Sequence, residues 1–386
     1  GESGKGIFIQ NAQLEIGLVA TEVIESGAST GKAGLLEDEP RFDYSGGATC
    51  PSLKLEPSRT QLVTQSEYFG GWGQINTINT ANALISPEGV QNANKLIAAS
   101  GVNNNVINQQ ISAGTYTASV FAKKGEFEGL FIGTGPTGAF FNLNTYAYRT
   151  HYQSAPTSYK IEDYGNGWHR YSITFTISGN DSLYIGPNDN VSNTLGVTGN
   201  NSNGIYIYGA QLEAATYPSS YIPNHSGGSV TRGADVCNSA GDSSTFNDSE
   251  GVLYAEIAAL ANDGTNRRIV ISDGTFNNSV QIYYYPISNR VRASVTSGGI
   301  TSIDATAALS DATNYHKIAI RYKTNDFSLW VDGVEVGTDT SGNAPSGLDE
   351  LAFNDAGGSN FYGNVKQVLV FNTALSDTEC IKLTTI

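Results

Sequence analysis

The sequence predicts an all-β protein built from tandem β-sandwich (jelly-roll) domains, and three observations carry this prediction. Apolar and polar residues alternate with a period of two in many short stretches, as they do in antiparallel strands with one face on a core. Gly, Asn and Asp clusters separate these stretches at the places where tight turns are needed. The composition, with 44 glycines and only 15% charged residues, is typical of many short strands and not of helices.

The chain length and charge limit the classes of protein to consider. The 386 residues suffice for two or three domains, each with its own core. The net charge of −15 repels nucleic acid and anionic lipid, so nucleic-acid binding is not expected. Stretches as long and apolar as a membrane-spanning helix are absent, so membrane insertion is not expected either.

The three cysteines do not form a metal or redox motif. Cys50, Cys237 and Cys380 are far apart in the sequence and lack the CxxC spacing. Domains of this size do not need a disulfide framework. We therefore expect three unpaired thiols.

The amino-terminal segment contains half of an internal repeat. The stretch Gly6–Glu15 closely resembles Gly204–Glu213, and the sequence has no methionine. A repeat at such long spacing indicates tandem domains. We interpret residues 1–15 as the last strand of a truncated upstream repeat. Residues 16–66, with Gly and Ser clusters, an acidic run and three prolines, are assigned to a connector.

The next segment, residues 67–223, predicts one all-β domain. Alternation is clear in Thr115–Ala122, Arg170–Ile177 and Ser182–Ile185, with the turn signals Gly165-Asn166-Gly167 and Gly179-Asn180-Asp181 between strands. Residues 224–247 are polar and rich in Gly and Ser, which is typical of a linker.

Residues 248–386 predict a second all-β domain. Asp332-Gly333 between two apolar runs is among the strongest local signals for a hairpin. Ser376, with Glu379 three residues later, forms a capping-box pattern that predicts a short terminal helix. The expected strands are Val252–Ile257, Arg268–Ser272, Ser279–Tyr285, Val291–Thr296, His316–Lys323, Asp326–Val331 and Asn364–Phe371.

This second domain resembles laminin-G-like, concanavalin-type jelly rolls. The resemblance is carried by Asn314–Ala319, by Trp330-Val331-Asp332-Gly333, and by Gly363–Ser376, which is similar to the closing strand and terminal helix of that family.

The preceding region, residues 59–223, resembles a carbohydrate-binding-like jelly roll of phage virion proteins, including head-spike and tail-fibre proteins. The resemblance is carried by Arg59–Phe69, Ile161–Arg170 and Gly204–Tyr221, with a connector that is similar to the segment preceding such domains.

These resemblances imply a non-enzymatic bacteriophage protein at the virion surface. Such a head fibre, tail fibre or decoration protein would bind host cell-surface polysaccharide multivalently, contact other virion proteins and form a homo-oligomer. The alternatives are a purely structural capsid decoration or cement protein, a polysaccharide depolymerase, and a bacterial adhesin module. A fold of this kind does not by itself identify a ligand.

Aromatic side chains are the main candidates for ligand binding, because sugar rings present C–H faces that lie on aromatic rings. Tyr68, Phe69 and Trp72 are flanked by glycines, and two alternatives are open for them: they form a binding platform, or they pack against the connector. The same choice between core and ligand applies to the other two groups. The candidates are Tyr68, Phe69 and Trp72, then Tyr146 and Tyr148, and finally Tyr284.

Calcium is the one cofactor that the resemblance brings into consideration, since these jelly rolls often hold it with oxygen ligands. The candidate ligands are Asn188 with Asp189, and Asn354 with Asp355. Asx-rich turns also bond to their own backbone, so a turn without metal is the alternative at both places.

A depolymerase would need two facing carboxylates. Glu126 and Glu128, two residues apart, would share a face if this segment were a strand. The alternative interpretation is a solvated pair without catalytic function.

Overall fold

The computed structural model describes residues 40–44, 50–354 and 358–385. The proposed repeat strand at residues 1–15 and residues 16–39 of the connector lie outside the described residues. The chain divides into two compact units: unit 1 contains Arg59–Arg232, and unit 2 contains Pro40–Ser58 together with Gly233–Ile386. Unit 1 is therefore inserted, in sequence, between two segments of unit 2.

Unit 1 is a β-sandwich of two six-stranded antiparallel sheets, as the alternation predicts. The first sheet has the order β12-β11-β10-β15-β8-β4 and the second has the order β13-β14-β9-β17-β6-β5, with two short two-stranded ribbons, β16-β7 and β18-β3. The strands are β3 (Arg59–Gln61), β4 (Gly73–Ile75), β5 (Thr77–Leu84), β6 (Ala93–Ala98), β7 (Gly101–Asn104), β8 (Val106–Ile111), β9 (Gly114–Lys123), β10 (Gly129–Gly133), β11 (Thr137–Asn142), β12 (Ala147–Gln153), β13 (Ser158–Asp163), β14 (His169–Ile177), β15 (Asp181–Asn188), β16 (Gly196–Gly199), β17 (Gly204–Glu213) and β18 (Val230–Arg232).

The core of unit 1 lies between its two large sheets. One sheet contributes residues such as Ile132, Phe141 and Ile185, and the other contributes Ile173 and Phe175, all 0% exposed. Every second residue of a strand points to this core, which is why the period-two pattern in the sequence predicts these strands.

Unit 2 is a second antiparallel sandwich, with seven strands in the order β1-β2-β28-β19-β24-β25-β26 and five in the order β23-β22-β21-β20-β27. Its core again draws on both sheets. Each strand expected in this region is present. The strands are β1 (Phe42–Asp43), β2 (Ser52–Leu55), β19 (Glu250–Ala259), β20 (Arg267–Ser272), β21 (Ser279–Tyr284), β22 (Arg290–Ser297), β23 (Ile300–Ala308), β24 (His316–Lys323), β25 (Phe327–Val331), β26 (Val334–Asp339), β27 (Glu350–Ala352) and β28 (Gly363–Phe371).

Two local signals in unit 2 are confirmed. Asp332 and Gly333 both have positive φ angles, 50° and 82°, which is the backbone twist that a two-residue hairpin turn requires. Ser376 caps the helix α1 (Asp377–Thr384) and forms a complete capping box with Glu379. No helix among the described residues is long and apolar enough to cross a membrane.

The Asp-Gly hairpin is also held by a buried histidine. His316 is 4% exposed, its Nδ1 lies 2.6 Å from Asp332 Oδ2, and its Nε2 lies 2.9 Å from the carbonyl oxygen of Asp311. The other oxygen of Asp332 accepts a hydrogen bond from the Lys317 amide. The motif residues that resemble the laminin-G-like family thus fix the position of a turn.

The segment assigned to a connector in the sequence contains two strands of unit 2, the edge strand β1 and its neighbour β2. Strand β2 pairs with β28 through Leu53 and Val365, and Leu55 is 5% exposed in the core of unit 2. Strand β3, at the end of the same segment, belongs to unit 1 and pairs with β18, which lies in the stretch assigned to a linker. The sequence suggests short strands at Arg41–Tyr44 and Ser52–Leu55, but only their partners show which unit they join.

In each unit, hydrogen bonds join the two segments between which the chain passes from one unit to the other. In unit 2 the Glu56 amide donates to Asp235 Oδ2 and the Asp235 amide donates to the Glu56 carbonyl oxygen, at 2.7 and 2.9 Å. Arg41 lies 2.5 Å from the Glu56 carboxylate. In unit 1 the buried Gln61 carboxamide bonds to the backbone of Ala210, Leu212 and Ile222.

A buried carboxylate lies beside this closure in unit 1. Glu67 is 3% exposed, and its Oε1 accepts a hydrogen bond from the Tyr221 hydroxyl at 3.1 Å. Its only cationic neighbour within 4 Å among the described residues is His225, at 3.8 Å. Burial raises the pKa of Glu67, and the nearby Glu88 adds to this, against the opposing influence of His225.

We predict that Gln61→Ala lowers the free energy of unfolding of unit 1 by about 2–3 kcal/mol, because it leaves several buried backbone groups without partners. Urea unfolding followed by tryptophan fluorescence measures this change. The matched control is Gln110→Ala, at an exposed glutamine of β8. Equal stability of the two variants would contradict a structural role of the Gln61 hydrogen bonds.

We predict that Glu67→Gln stabilises unit 1 at neutral pH. Because the pKa of Glu67 is raised in the folded state, its contribution to stability is complete below the ordinary value of 4.5 and is lost as the pH rises through the folded value. The gain from the substitution should therefore be present at neutral pH and absent below pH 4.5. Unfolding curves at both pH values measure it, with Glu128→Gln, at a half-exposed carboxylate, as the control.

Candidate functional site

The outer face of the five-stranded sheet in unit 2 carries the most distinctive polar and aromatic side chains of that unit. Along β20 the residues alternate, with Ile269 and Ile271 in the core and Arg268, Val270 and Ser272 on the opposite face. The antiparallel register then places Tyr283 beside Arg268 and Arg292 beside Tyr283. Three residues that are distant in sequence become one row across the sheet.

This row is a stack of two arginines around a tyrosine. The guanidinium carbon of Arg268 lies 4.1 Å from the ring centroid of Tyr283, and that of Arg292 lies 5.8 Å from the same ring. Arg292 also forms an ion pair with Asp304, which is the first cause of its raised pKa. Arg268 donates to the Gln281 carboxamide at 2.7 Å. These contacts bury Tyr283 to 4% exposure and fix both guanidinium groups.

A shallow groove lies on the same sheet, at the opposite end of β20 from its start at Arg267. Its floor contains Val270 and Ala352, which are apolar, and its sides carry polar atoms. Phe276 stands at the groove and is 40% exposed. The lining residues are Val270, Ser272, Gly274, Thr275, Phe276, Glu350, Ala352 and Asn354.

Hydrogen bonds to the Asp273 carboxylate hold the turn that carries Phe276. Asp273 Oδ1 accepts hydrogen bonds from the amide and hydroxyl of Thr275, and Asp273 Oδ2 accepts one from Asn278. Burial raises the pKa of Asp273, but these hydrogen bonds outweigh burial and lower it overall. Phe276 is therefore presented by a turn whose conformation does not depend on a ligand.

The groove has the chemical features of a surface for a sugar ring. An exposed aromatic ring, an apolar floor and surrounding hydroxyl and carboxamide groups form a surface on which a sugar ring can lie and make hydrogen bonds. Among the described residues of the lining, Glu350 is the one carboxylate.

The glycine-flanked aromatic group in unit 1 is mostly core. Tyr68 is 42% exposed, but Phe69 and Trp72 are 0% and 4% exposed and pack edge to face at 5.3 Å. The Trp72 indole N–H donates to the carbonyl oxygens of Thr64 and Gln65. The prediction that Phe69 and Trp72 contact a ligand is therefore wrong, because they fill the interior of unit 1 and cover the strand edges around it.

Tyr146 and Tyr148 lie together where the edge strands of the two sheets of unit 1 approach each other. Tyr148 stacks on Tyr159 of β13 with ring centroids 4.4 Å apart, and Tyr146 stacks on His169 of β14 at 3.8 Å. Tyr146 is 42% exposed. The two stacked pairs hold the edges of the sandwich together, so packing accounts for both side chains, although Tyr146 keeps one accessible face.

Tyr284 is not an exposed platform. It is 3% exposed, belongs to the core of unit 2 and stacks near Phe361. Its neighbour Tyr283 points to the outer face, as expected for adjacent residues of a strand.

The side chains of the turn at Asn188 and Asp189 make hydrogen bonds within the protein. Asp189 Oδ1 accepts three hydrogen bonds from Val191 and Ser192, and these, against the effect of burial, lower the pKa of Asp189. Asn188 Oδ1 accepts from the Arg149 guanidinium at 3.1 Å. These bonds favour the interpretation of a turn without metal, and calcium binding at this turn stays a prediction.

The second calcium candidate is only partly described. Asn354 is half-buried and lines the groove in unit 2, whereas Asp355 lies outside the described residues. Within the described ranges, no group of three or more His, Cys, Asp or Glu side chains is arranged to hold a metal ion. Cys50, Cys237 and Cys380 are unpaired thiols, as expected.

The two candidate catalytic carboxylates do not share a strand face. Glu126 and Glu128 lie in the segment that joins β9 and β10. Glu126 is paired with Lys95 at 2.9 Å and also accepts from the Gly204 amide, whereas Glu128 lies 3.7 Å from Lys124. Burial raises the pKa of Glu126, but hydrogen bonds from Lys95 and the Gly204 amide outweigh burial and lower it overall.

Apart from Asn354, a candidate calcium ligand, the residues of the groove were not predicted from the sequence. Ser272, Phe276 and Glu350 come from separate strands and turns, and none belongs to a motif. The alternation along β20 could have placed Arg268 and Ser272 on a solvent face, but only the sheet order brings Glu350 and Ala352 beside them.

Comparison with known proteins finds a family model that matches part of the chain. The laminin-G-like model of the concanavalin A-like lectin/glucanases superfamily matches residues 242–380, within unit 2. The match agrees with the two-sheet sandwich seen there. No curated protein sequence matches the chain.

Several solved structures are similar to this chain, at low sequence identity and low TM-score. The CBM40 domain of the Ruminococcus gnavus IT-sialidase is 18% identical, with 39% of this chain and 94% of that chain covered and a TM-score of 0.32. The NanB sialidase of Streptococcus pneumoniae is 14% identical, with 36% and 24% covered and a TM-score of 0.30. The heptameric SAP-like pentraxin of Limulus polyphemus is 9% identical, with 37% and 72% covered and a TM-score of 0.31. Likenesses at this level carry no argument about function.

We predict that Asp189→Asn does not change any effect of calcium on the chain. If calcium chloride raises the unfolding temperature relative to EDTA, the increase should be the same in this variant, because Asp189 Oδ1 already accepts hydrogen bonds within the turn. Differential scanning calorimetry measures both proteins in both buffers. Loss of a calcium effect in the variant would show that the turn binds calcium.

Proposed function

We propose that this chain is a non-enzymatic glycan-binding protein and that the groove on the five-stranded sheet of unit 2 is a binding site. The observation that carries the proposal is Phe276, a 40% exposed aromatic ring on a hydrogen-bonded turn beside a shallow groove with mixed polar and apolar walls. The superfamily match of residues 242–380, which includes lectins by its name, supports this assignment.

The charge of the chain is compatible with a carbohydrate partner. A net charge of −15 disfavours nucleic acid and anionic membranes. The face that carries the groove also carries Arg268 and Arg292, which the stack with Tyr283 holds in place. Guanidinium groups donate hydrogen bonds to sugar hydroxyl and carboxylate oxygens, so this face suits a hydroxyl-rich polymer.

The finer proposal is that the chain acts at the surface of a bacteriophage particle and binds host cell-surface polysaccharide. The similarity of residues 59–223 to the jelly rolls of phage head spikes and tail fibres supports it. A shallow groove gives a weak single site, and many copies on one particle would raise the avidity by roughly 10²–10⁴. Homo-oligomerisation and contacts with other virion proteins are parts of the same proposal. Immunogold labelling of purified particles tests the location.

Depolymerase activity is the alternative that the groove disfavours. In the part of the lining that the structure describes, Glu350 has no second carboxylate beside it, and Glu126 and Glu128 are each paired with a different lysine. Incubation with a bound polysaccharide should therefore release no reducing ends. Release that is lost in Glu350→Gln would show that the groove is catalytic and would contradict the proposal.

We predict that Phe276→Ala weakens glycan binding by about tenfold, because it removes the stacking surface worth about 1.4 kcal/mol. A glycan array probed with the intact chain identifies the glycan, and isothermal titration calorimetry then measures the affinity. The matched control is Ile300→Ala, which removes a 75% exposed apolar side chain elsewhere in unit 2. Binding to no glycan, or equal binding by the two variants, would overturn the assignment.

A further inference from the structure

The groove on the five-stranded sheet carries one charged side chain among its described lining residues, Glu350. Glu350 lies on β27, the last strand of this sheet, and is paired with Ser272 of β20. Opposite residues of two antiparallel strands point to the same face of a sheet, so both side chains lie on the outer face beside the groove. Strand pairing therefore sets the position of this carboxylate.

The Glu350 carboxylate is unused by the protein. The residue is half-buried, yet its side chain makes no hydrogen bond or ion pair within the described part of the chain. Asp273, on the turn that carries the aromatic ring, differs because its two oxygens accept three hydrogen bonds. A carboxylate that is partly removed from water without a partner costs free energy, and a donor from a ligand offsets this cost.

A second polar side chain on the groove is also unused. Asn354 is half-buried, lines the groove, and makes no side-chain hydrogen bond with the residues that the structure describes. The Ser272 hydroxyl, by contrast, accepts a hydrogen bond from the Gly274 amide at 3.2 Å. Glu350 and Asn354 therefore keep their hydrogen-bonding capacity for a ligand.

The ligand group that fits these two side chains is a hydrogen-bond donor with a positive charge. An ionised carboxylate only accepts hydrogen bonds, and a charge-assisted hydrogen bond is about twice as strong as one between neutral groups. The net charge of −15 attracts cations to the chain and repels anions. An ammonium group has three donors, which suffice for the Glu350 carboxylate and the carbonyl oxygen of the Asn354 carboxamide.

The Phe276 ring supports the same choice of ligand. Its face can hold the C–H groups of a sugar ring, and it also attracts a cation. Arg268 already makes this second kind of contact, with its guanidinium carbon 5.8 Å from the Phe276 centroid. Arg268 is not a lining residue and precedes Ser272 by four residues, about 13 Å along β20. The guanidinium and the Glu350 carboxylate thus belong to separate parts of the sheet.

We propose that the groove selects an amino sugar and that Glu350 binds its ammonium group. The inference rests on the proposed glycan binding and adds a substrate class to it, a hexosamine whose amine is free. Phe276 holds the sugar ring, whereas Glu350 and Asn354 bind the substituent. A sugar with the same ring and linkage but without the charge uses the ring contact alone and binds more weakly.

The test compares three trisaccharides that differ only in the substituent at C2: β-1,4-linked glucose, glucosamine and N-acetylglucosamine. Isothermal titration calorimetry of the full chain is carried out at about pH 6, where an amine is protonated. The glucosamine trisaccharide should bind about tenfold more tightly than the other two, the effect of one charge-assisted hydrogen bond. High ionic strength should reduce this preference, because it screens the attraction between the charges.

The substitution Glu350→Gln should abolish the preference. It keeps the size of the side chain and removes its charge, so the glucosamine trisaccharide should bind about tenfold more weakly while the glucose trisaccharide binds as before. The unfolding temperature should not fall, because the carboxylate has no partner in the free chain. The matched control is Glu335→Gln, at an exposed carboxylate of β26 outside the groove, and it should keep the preference.

The possible outcomes separate the two proposals. Equal affinity for the three trisaccharides, in binding that depends on Phe276, overturns the amino-sugar inference and leaves the proposed function intact. A preference that Glu350→Gln and Glu335→Gln reduce equally also overturns it, since the net charge of the chain would then be the cause. Failure to bind these probes, in a chain that binds other glycans through Phe276, has the same meaning. Absence of binding to any glycan removes both proposals.

Discussion

The pairing of β2 with β28 is the constraint on which the architecture of the chain depends. It joins β1 and β2, which precede unit 1 in the sequence, to a sheet whose other five strands follow unit 1. Unit 2 is therefore discontinuous in sequence, and unit 1 must begin and end close to the points where the chain leaves and returns. The reciprocal bonds between Glu56 and Asp235 in unit 2, and the β3–β18 ribbon with Gln61 in unit 1, satisfy this requirement. Closing a long loop costs little more free energy than closing a shorter one, so a few such contacts suffice.

The candidate sites follow from the same antiparallel geometry. A strand of a sandwich presents one face to the core and the other to solvent, so side chains on the outer face are free to carry function. On the five-stranded sheet of unit 2 this face holds the row of Arg268, Tyr283 and Arg292, and the groove beside it.

Many carboxylates of this molecule have a structural partner. Asp and Glu outnumber Lys and Arg by 36 to 21. Glu126 is paired with a lysine, Asp304 with an arginine and Asp273 with the groups of its own turn. Glu67 differs, since it is buried with a raised pKa within unit 1, and Glu350 lines the groove of unit 2.

The sequence by itself determined the elements whose signal is local. Period-two alternation predicts the long strands of both units, Asp332-Gly333 predicts its hairpin, and Ser376 with Glu379 predicts the cap of the helix, because each depends on neighbours within a few residues. The tertiary structure decided what depends on distant partners: the membership of Ser52–Leu55 in unit 2, the burial of Phe69, Trp72 and Tyr284, and the meeting of Phe276 with Glu350. Exposure and proximity are set by strand pairing across long stretches of chain, and a local pattern of residues does not contain that information.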